Sequence, residues 1–261
     1  MFLNWIDINR QDLGEWLIKP EDYHDWNSLQ GYPNLIDFER DAVCLTRAVI
    51  LFSESPGSHA ELGAFCMDPI LSERLFVVIS EDHYNAGSFI AKEPVKKIED
   101  IDEESICTVK GIEPLTIQNE LLQIVESLER KLGSAPKSTS FDPHRTRDQF
   151  LLIADLIELF GALTVNEIVD LCALLGLNTT VHQVKILYEQ LSRFNIVTAV
   201  KKNTSRYYLP TQHRFQFLDY KSPFENKRFD RLRFKTKIST PWLKSDKRRL
   251  EAYADIHGSL E

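Results

Sequence analysis

Three short, uninterrupted apolar runs alternate with helical patterns in the first 110 residues of the chain. They lie at 48–52, 75–79 and 106–109. Strands buried on both faces have such continuous apolar runs, whereas strands with one solvated face alternate apolar and polar residues. Parallel strands need a crossover, usually a helix, so this alternation indicates a parallel sheet. We therefore expect an α/β domain whose sheet is covered by helices on both faces.

The remaining pattern of this region predicts further elements around the sheet. Helices are expected over 2–13, 34–47 and 115–132, and the apolar stretch 15–18 is expected to be a strand. Gly133 follows the last of these helices and is a suitable C-cap residue. Together these elements make up the expected first domain, residues 1–132.

The pattern changes after segment 133–145, which has the small, polar and Pro-containing composition of a linker. Three helices are expected next, over 148–160, from the cap Thr164 to about 175, and from Thr179 or Thr180 to about 194. Glu167 stands three residues after Thr164, which is the spacing of a capping box. Gly176 is expected to end the second of these helices.

Two apolar runs at 196–200 and 207–209 flank the basic segment 201–206, which predicts a β-hairpin with a charged tip. Three helices followed by such a hairpin have the element order of a winged helix-turn-helix. We expect this domain to occupy residues 146–261 and to include a basic C-terminal extension. The predicted architecture is therefore an α/β, flavodoxin-like parallel-sheet N-terminal domain linked to a C-terminal winged helix-turn-helix domain.

The composition of the 261 residues excludes several classes of protein. With 43% hydrophobic residues the chain is too apolar for intrinsic disorder. No apolar run approaches the roughly 18 residues of a membrane span, and no basic segment followed by an apolar stretch opens the chain. The four cysteines lack CxxC spacing, and no set of His, Cys and acidic residues has metal-ligand spacing. We therefore expect a cytoplasmic protein with reduced thiols, no metal, no secretory signal and no membrane contact.

The net charge of −8 conceals a strong asymmetry along the chain. Residues 1–200 carry 16 Lys and Arg against 32 Asp and Glu, whereas residues 201–249 carry 15 basic against 4 acidic residues. Clustered basic residues favour a polyanionic partner, while an acidic body does not. The charge distribution therefore indicates two different tasks on one chain.

Segment 53–65 is the most informative stretch for function. It leaves the carboxyl end of an expected strand and enters a helix, at the edge where open α/β sheets bind ligands. Pro56 and Gly57 are expected to make a tight turn that lets backbone N–H groups approach a ligand. The hydroxyls of Ser55 and Ser58 add polar groups, and the helix N-terminus favours an anion such as phosphate.

Glu61 is expected in the first turn of that helix, where its carboxylate can point into the same cleft. Such a carboxylate can act as a nucleophile or stabilise an oxocarbenium-like centre at C1 of a sugar. Gly63 is expected to let the helix pack closely against a strand. From residue types alone another interpretation stays open, in which the Ser-Pro-Gly-Ser turn caps the helix and the acid offsets its dipole.

The run ILFSESPGSHAELGAF, with KPEDYHDW upstream of it, resembles nucleoside 2-deoxyribosyltransferase-like domains. More closely, it resembles the effector proteins of bacterial retrons, which join such a domain to a C-terminal winged helix. The similarity covers most of residues 10–110 and, more loosely, the helical module after the linker. It implies that Glu61 is the catalytic carboxylate that attacks the sugar carbon of an N-glycosidic bond. The residues that it implies in substrate binding are Ser55, Gly57 and Ser58 around the ribose and its 5′-phosphate, with Glu21 and Asp22 orienting the nucleoside.

Some retron effectors of this type are NAD hydrolases, so the resemblance implies hydrolysis of NAD or a nucleotide as substrate, with no cofactor. It implies a toxin of anti-phage defence that is held inactive by the retron reverse transcriptase and msDNA, the branched RNA–DNA product. A homo-oligomer or filament is a further implied assembly. Two alternatives stay open: a DNA-binding regulator whose α/β domain senses a nucleotide, and a structural subunit without catalysis.

One departure from the family pattern concerns its first strand, which carries a Gly-containing turn that lines the base pocket. That strand has no counterpart before Met1, because we expect the chain to begin inside the first helix, residues 2–13. The start of the protein is upstream, the chain is trimmed, or the sheet forms differently. We expect the sheet and the pocket to lack this contribution.

The basic region is expected to contact nucleic acid, because cations neutralise phosphates and interleaved aromatic residues can stack on bases. The predicted contact residues are Lys185 and Arg193 on the third helix, Lys201, Lys202 and Arg206 at the hairpin tip, and Arg228, Arg231 and Arg233 beyond it. Docking on an acidic protein surface, including that of another copy, is the open alternative.

Three further side chains are weaker candidates. His59, His24 and Asp25 can reach the cleft or remain solvated. Glu39 is expected on the solvent face of its helix, from the helical period.

Overall fold

A three-stranded parallel sheet forms the centre of the first half of the chain. The computed structural model describes residues 1–19, 34–134, 140–211, 216–221 and 229–259. The strands are β1 (Val49–Phe52), β2 (Leu75–Ser80) and β3 (Ile106–Val109), in the order β1-β2-β3. Leu75 pairs with Val49, and Ile106 with Val77. The predicted parallel sheet is confirmed.

Helices cover both faces of this sheet. The helices of this half are α1 (Phe2–Asn9), α2 (Gln11–Gly14), α3 (Leu35–Cys44), α4 (Pro56–Phe65), α5 (Pro69–Ser72), α6 (Glu81–Asn85), α7 (Lys96–Ile101), α8 (Pro114–Ile117) and α9 (Leu121–Ser134). A π-helical turn (Ala91–Val95) runs into α7, and a 3-10 turn (Glu103–Ser105) precedes β3. Helices α1 and α9 contribute to one buried cluster, and α3, α4 and α7 to the other.

Strand β2 is buried along five consecutive residues, Leu75 to Ile79, each with no exposed surface. Because successive strand side chains point to opposite faces, Phe76 and Val78 join the cluster with α1 and α9. Leu75, Val77 and Ile79 join the cluster with α3, α4 and α7. Each face of β2 therefore forms the centre of its own core.

Three predictions about local structure in this half are wrong. Segment 15–18 is not a strand: it follows α2 as a turn, and 72% of Trp16 is exposed, so it has no sheet face to bury. The expected helix 2–13 is interrupted at Arg10, whose φ of −140° is not helical. The expected helix 115–132 is two helices, α8 and α9, and Gly133 lies inside α9 rather than capping it.

The second unit takes in the described residues from 141 onward and contains three helices followed by a hairpin. Its elements are α10 (Thr146–Phe160), α11 (Val165–Leu174), α12 (Val181–Arg193), β4 (Val197–Lys202), β5 (Ser205–Pro210), α13 (Arg231–Phe234), α14 (Thr240–Lys244) and α15 (Lys247–His257), with a π-helical turn (Lys235–Ser239) after α13. Thr164 and Thr180 each accept a hydrogen bond in a capping box, as predicted for Thr164.

The basic C-terminal segment folds into helices packed on the rest of the second unit. Gly161 ends α10 with φ +79°, and a Cβ there would meet Tyr253 at 3.0 Å and Leu243 at 3.1 Å. The Tyr207 hydroxyl donates a hydrogen bond to Asp246 (2.7 Å), which ties the hairpin to the start of α15. Glycine is therefore required at 161, both for its backbone angle and for the close approach of α14 and α15.

None of the described helices combines the length and apolar character that crossing a membrane requires. The thiols of Cys44, Cys66, Cys107 and Cys172 are buried and free.

A buried lysine joins the last helix of the first unit to the turn before β3. Lys131 Nζ donates to Asp102 Oδ2 (2.7 Å), Ser105 Oγ (2.7 Å) and the Glu73 carbonyl (3.1 Å). Burial acts to raise the pKa of Asp102, but the hydrogen bonds from Lys131 and from the Glu104 backbone N–H, together with the positive charge of Lys131, outweigh it, so that the pKa lies below its ordinary value. All three Lys131 donors are thus satisfied in a site that is nearly closed to water.

Replacing this lysine, Lys131→Met, is expected to destabilise the first unit by about 2–4 kcal/mol, because Asp102 and Ser105 lose their partner in a buried site. Urea denaturation at pH 7 measures the change. The exposed Lys110→Met is the matched control and is expected to shift the free energy of unfolding by less than about 0.5 kcal/mol. Equal denaturation midpoints for the two variants would contradict this account.

Candidate active site

The turn between β1 and α4 is a closed capping motif. The Ser55 hydroxyl accepts a hydrogen bond from the Ser58 backbone N–H (3.2 Å), and the Ser58 hydroxyl accepts from the N–H groups of Ser55 (3.0 Å) and Glu54 (3.1 Å). Pro56 occupies the first helical turn, where no N–H partner is needed. Both serine hydroxyls are therefore engaged in capping α4, and their predicted contact with substrate stays a prediction.

Both glycines of this segment have room for a larger side chain. A Cβ on Gly57 would meet only the Ser55 Oγ, at an ordinary 3.7 Å, and a Cβ on Gly63 would meet nothing within 4 Å. The expectation that Gly63 lets the helix pack closely against a strand is therefore wrong. Gly57 has no backbone angle that demands glycine. Its predicted closeness to a ligand is untested.

Glu61 lies on the second turn of α4 rather than on the first, because the helix already begins at Pro56. The side chain is exposed and makes no hydrogen bond or ion pair with the described residues. An unpaired carboxylate keeps its electron pairs available for a ligand. Glu61 is thus exposed and unpaired among the described residues, and its expected catalytic role stays a prediction.

Glu39 of α3 is the carboxyl group that sequence reasoning placed wrongly. It is half-buried instead of lying on the solvent face of its helix. Burial, together with the negative charge of Glu61, raises the pKa of Glu39 to about 7. The two side chains are therefore electrostatic neighbours, although 22 positions separate them in the sequence.

Two histidines and a buried serine lie at the same edge of the sheet. His59 of α4 stacks edge-on against His83 of α6, with ring centroids 6.2 Å apart. The Ser53 hydroxyl, at the end of β1, is fully buried and has no hydrogen-bond partner among the described residues. Sequence reasoning did not single out His83, which lies in the helix after β2, or Ser53, which directly follows β1 at the start of segment 53–65. Glu21 and Asp22, and likewise His24 and Asp25, lie outside the described residues.

In the second unit the predicted nucleic-acid contacts fall into different environments. Lys185, Lys201 and Arg233 are exposed, and so is Arg206, whose guanidinium lies over the Tyr188 and Tyr208 rings. Arg193 is half-buried. Arg228 lies outside the described residues.

The other two predicted cations are paired with acids inside the second unit. Lys202 Nζ lies 2.7 Å from Asp255 Oδ2. Arg231 binds both Asp155, at 3.0 and 3.1 Å, and Glu158. The two acids lie on α10 and are buried, a feature that their place within an apolar helix could have signalled. Arg231 is therefore part of the internal structure of this unit.

The pH dependence of stability tests the environment of Glu39. Because the pKa of the folded state, about 7, exceeds the ordinary value of 4.5, the folded chain holds a proton that the unfolded chain releases. The contribution of Glu39 to the free energy of unfolding is fully present below pH 4.5. It decreases by about 2 kcal/mol as the pH rises through 7, a value that is reduced for the partial exposure of the side chain. Relative to the wild type, Glu39→Gln is therefore expected to gain that amount between pH 4 and pH 8.

Urea denaturation of both proteins at the two pH values measures this gain. The exposed Glu126→Gln on α9 is the matched control and is expected to track the wild type at both pH values. A wild-type-to-variant difference for Glu39→Gln that is the same at pH 4 and pH 8 would show that Glu39 titrates normally.

Comparison with known proteins identifies a family and two relatives of this chain. The model of the STM3845 retron effector protein family matches residues 1–199. The chain is 27% identical over 189 residues to the retron Ec73 putative ribosyltransferase/DNA-binding protein of Escherichia coli, a match that covers 67% of this chain and 60% of that protein. It is 33% identical over 88 residues to the retron Ec86 putative ribosyltransferase/DNA-binding protein of Escherichia coli, covering 33% of this chain and 29% of that protein.

The chain therefore spans less than two thirds of the length of the curated relatives that it matches. The family match, in contrast, covers most of the chain and includes the whole sheet, the capping turn, Glu39 and Glu61. It continues through the three helices of the second unit and into β4. The chain belongs to the STM3845 retron effector family.

Proposed function

We propose that the protein is the toxin of a retron and cleaves the N-glycosidic bond of NAD or a nucleotide through Glu61. The observation that carries the proposal is an exposed, unpaired carboxylate on the helix that follows β1, at the carboxyl edge of a parallel sheet. Ligands of open α/β sheets bind at this edge. The names of two relatives include the words putative ribosyltransferase, which supports glycosyl transfer here.

The proposed reaction proceeds in two steps with retention at the sugar. Glu61 attacks C1′, the bond to the base breaks, and a glycosyl ester of Glu61 forms. Water then hydrolyses the ester and regenerates the carboxylate. The first unit acts as a flavodoxin-like, deoxyribosyltransferase-like domain, with the capping turn near the sugar and its phosphate.

The second unit, in this proposal, is a winged helix that holds the msDNA–reverse transcriptase complex, which keeps the toxin inactive. Its support is the order of three helices and a hairpin, with exposed cations on α12 and at the hairpin tip. The relatives' names include DNA-binding protein, which agrees with this role. Cytoplasmic location and assembly into a homo-oligomer or filament belong to the same proposal.

Substitution of the nucleophile tests the catalytic part. Glu61→Gln keeps the size of the side chain but removes its negative charge, so release of free base from NAD and from nucleoside monophosphates is expected to fall by about 10⁴-fold or more. Chromatographic detection of the base after incubation with purified protein measures it. Glu126→Gln is the matched control. Equal turnover by wild type and Glu61→Gln would exclude Glu61 as nucleophile, and saturable nucleotide binding without turnover would favour a regulator.

The exposed cations of the second unit are tested by the salt dependence of binding. Lys185→Ala with Lys201→Ala is expected to weaken binding of a fluorescent single-stranded DNA and to lower the slope of log affinity against log salt by about 1.4, since each lost phosphate contact removes about 0.7. Fluorescence anisotropy over a salt series measures both. Lys92→Ala with Lys110→Ala, exposed in the first unit, is the control of equal charge. An unchanged slope in the first variant would exclude these lysines from the interface.

A further inference from the structure

The two faces of the hairpin formed by β4 and β5 have different surroundings. Lys201 pairs with Arg206 across the two strands, and Lys202 pairs with Ser205. Because successive strand side chains point to opposite faces, the first pair lies on one face of the hairpin and the second pair on the other. We call the face of Lys201 and Arg206 the outer face and the face of Lys202 the inner face. The two neighbouring lysines of the hairpin tip are therefore on opposite faces.

The inner face is covered by the C-terminal helices of the second unit. Its Tyr207 is buried in one apolar cluster with Leu243 of α14 and Ala252 of α15. Lys202 Nζ lies 2.7 Å from Asp255 Oδ2 of α15, so its charge is compensated at short range. The inner face therefore has neither the accessible surface nor the uncompensated charge that a polyanion requires.

The outer face packs against α12 and leaves its cations exposed. Tyr208 of this face lies edge-on against Tyr188 of α12, with ring centroids 4.6 Å apart. The central guanidinium carbon of Arg206 lies 5.2 Å from the centre of the Tyr188 ring and 5.8 Å from that of Tyr208. Lys185 stands one helical turn before Tyr188, on the same side of α12. The exposed cations Lys185, Lys201 and Arg206 form no ion pair with the described residues.

The two tyrosine rings orient the guanidinium of Arg206. A guanidinium stacks on aromatic rings within about 6 Å and keeps its N–H donors available, and it binds a phosphate group through two of them at once. A side chain that is already held loses less conformational freedom when it binds. Tyr188 and Tyr208 are only 7% and 3% exposed, so neither ring can stack on a base. The outer face is therefore suited to phosphate groups rather than to bases.

We infer that the outer face binds the phosphate backbone of a nucleic acid, with Arg206 as the anchoring residue and Lys185 and Lys201 as flanking contacts. The inference rests on the nucleic-acid-binding part of the proposed function and assigns that binding to one face of the hairpin. Because the contacts are to phosphates, the affinity is expected to be independent of base sequence.

The composition of the outer face favours a nucleic acid over an acidic protein. Interfaces between proteins have apolar or aromatic centres and few lysines. Here two of the three cations are lysines, and the aromatic rings are buried beneath Arg206 instead of being offered to a partner. Glu189, which follows Tyr188 on α12, is half-buried, and the three cations outnumber it.

The neighbouring lysines on opposite faces test which face is used. Lys201→Ala is expected to lower the slope of log affinity against log salt by about 0.7 for a fluorescent single-stranded DNA, since one phosphate contact is lost. Lys202→Ala removes the same charge one position away and is expected to leave the slope unchanged, because this lysine is held by Asp255. Fluorescence anisotropy of the full chain over a salt series measures both slopes.

A substitution that keeps the charge tests the role of Arg206. Arg206→Lys loses the planar group that binds a phosphate at two points, so the affinity at fixed salt is expected to fall about 10-fold with an unchanged slope. The side chain is exposed, so the fold is expected to be retained. Arg248→Lys, exposed on α15, is the matched control and is expected to bind like the wild type. Two DNAs of permuted sequence are expected to bind with equal affinity.

The outcomes separate this inference from the proposed function. Equal changes of slope in Lys201→Ala and Lys202→Ala, or wild-type affinity of Arg206→Lys, overturn the inference while leaving nucleic-acid binding by the second unit in place. Tighter binding of a fluorescent polyglutamate than of the DNA would assign the face to an acidic protein and overturns the inference as well. A wild-type protein that binds no DNA overturns the binding part of the proposed function, and the inference with it.

Discussion

Burial of β2 on both of its faces is the interaction on which the first unit depends. Five consecutive side chains of this strand alternate between two cores, so the helices on each face are positioned against one central strand. Parallel pairing then brings the carboxyl ends of β1 and β2 to one edge. The start of α4 and the start of α6 lie close together there, and His59 of α4 contacts His83 of α6.

The chemistry of this edge follows from what the fold leaves unpaired. The serine hydroxyls of the capping turn satisfy the helix N-terminus, so they do not distinguish a reactive loop from a structural one. Glu61 and Glu39 differ from them, because no described residue satisfies either carboxyl group. Capping and catalysis therefore need not compete here. The turn fixes the helix, and Glu61 on its second turn remains unpaired.

The strands, the helices of the second unit and the hairpin could be predicted from sequence because each depends on a local pattern. The three apolar runs became β1, β2 and β3, and the Thr164 capping box formed. Segment 15–18 failed because four apolar-rich residues do not make a strand without a neighbour to pair with. The electrostatic effect of Glu61 on Glu39 and the ion pair of Arg231 with Asp155 could not be predicted, because each involves two helices that only tertiary packing brings together.

The buried acids of α10 neutralise part of the positive charge of the second unit. Arg231 and Lys235 are held by Asp155 and Glu158, and Arg249 lies against Glu167. A phosphate backbone that approaches this unit is attracted only by charge that is not already compensated at short range. The formal excess of basic residues therefore overstates the electrostatic work that the unit can do on a nucleic acid. A nucleic-acid interface on this unit therefore has a weaker salt dependence than its number of basic residues predicts.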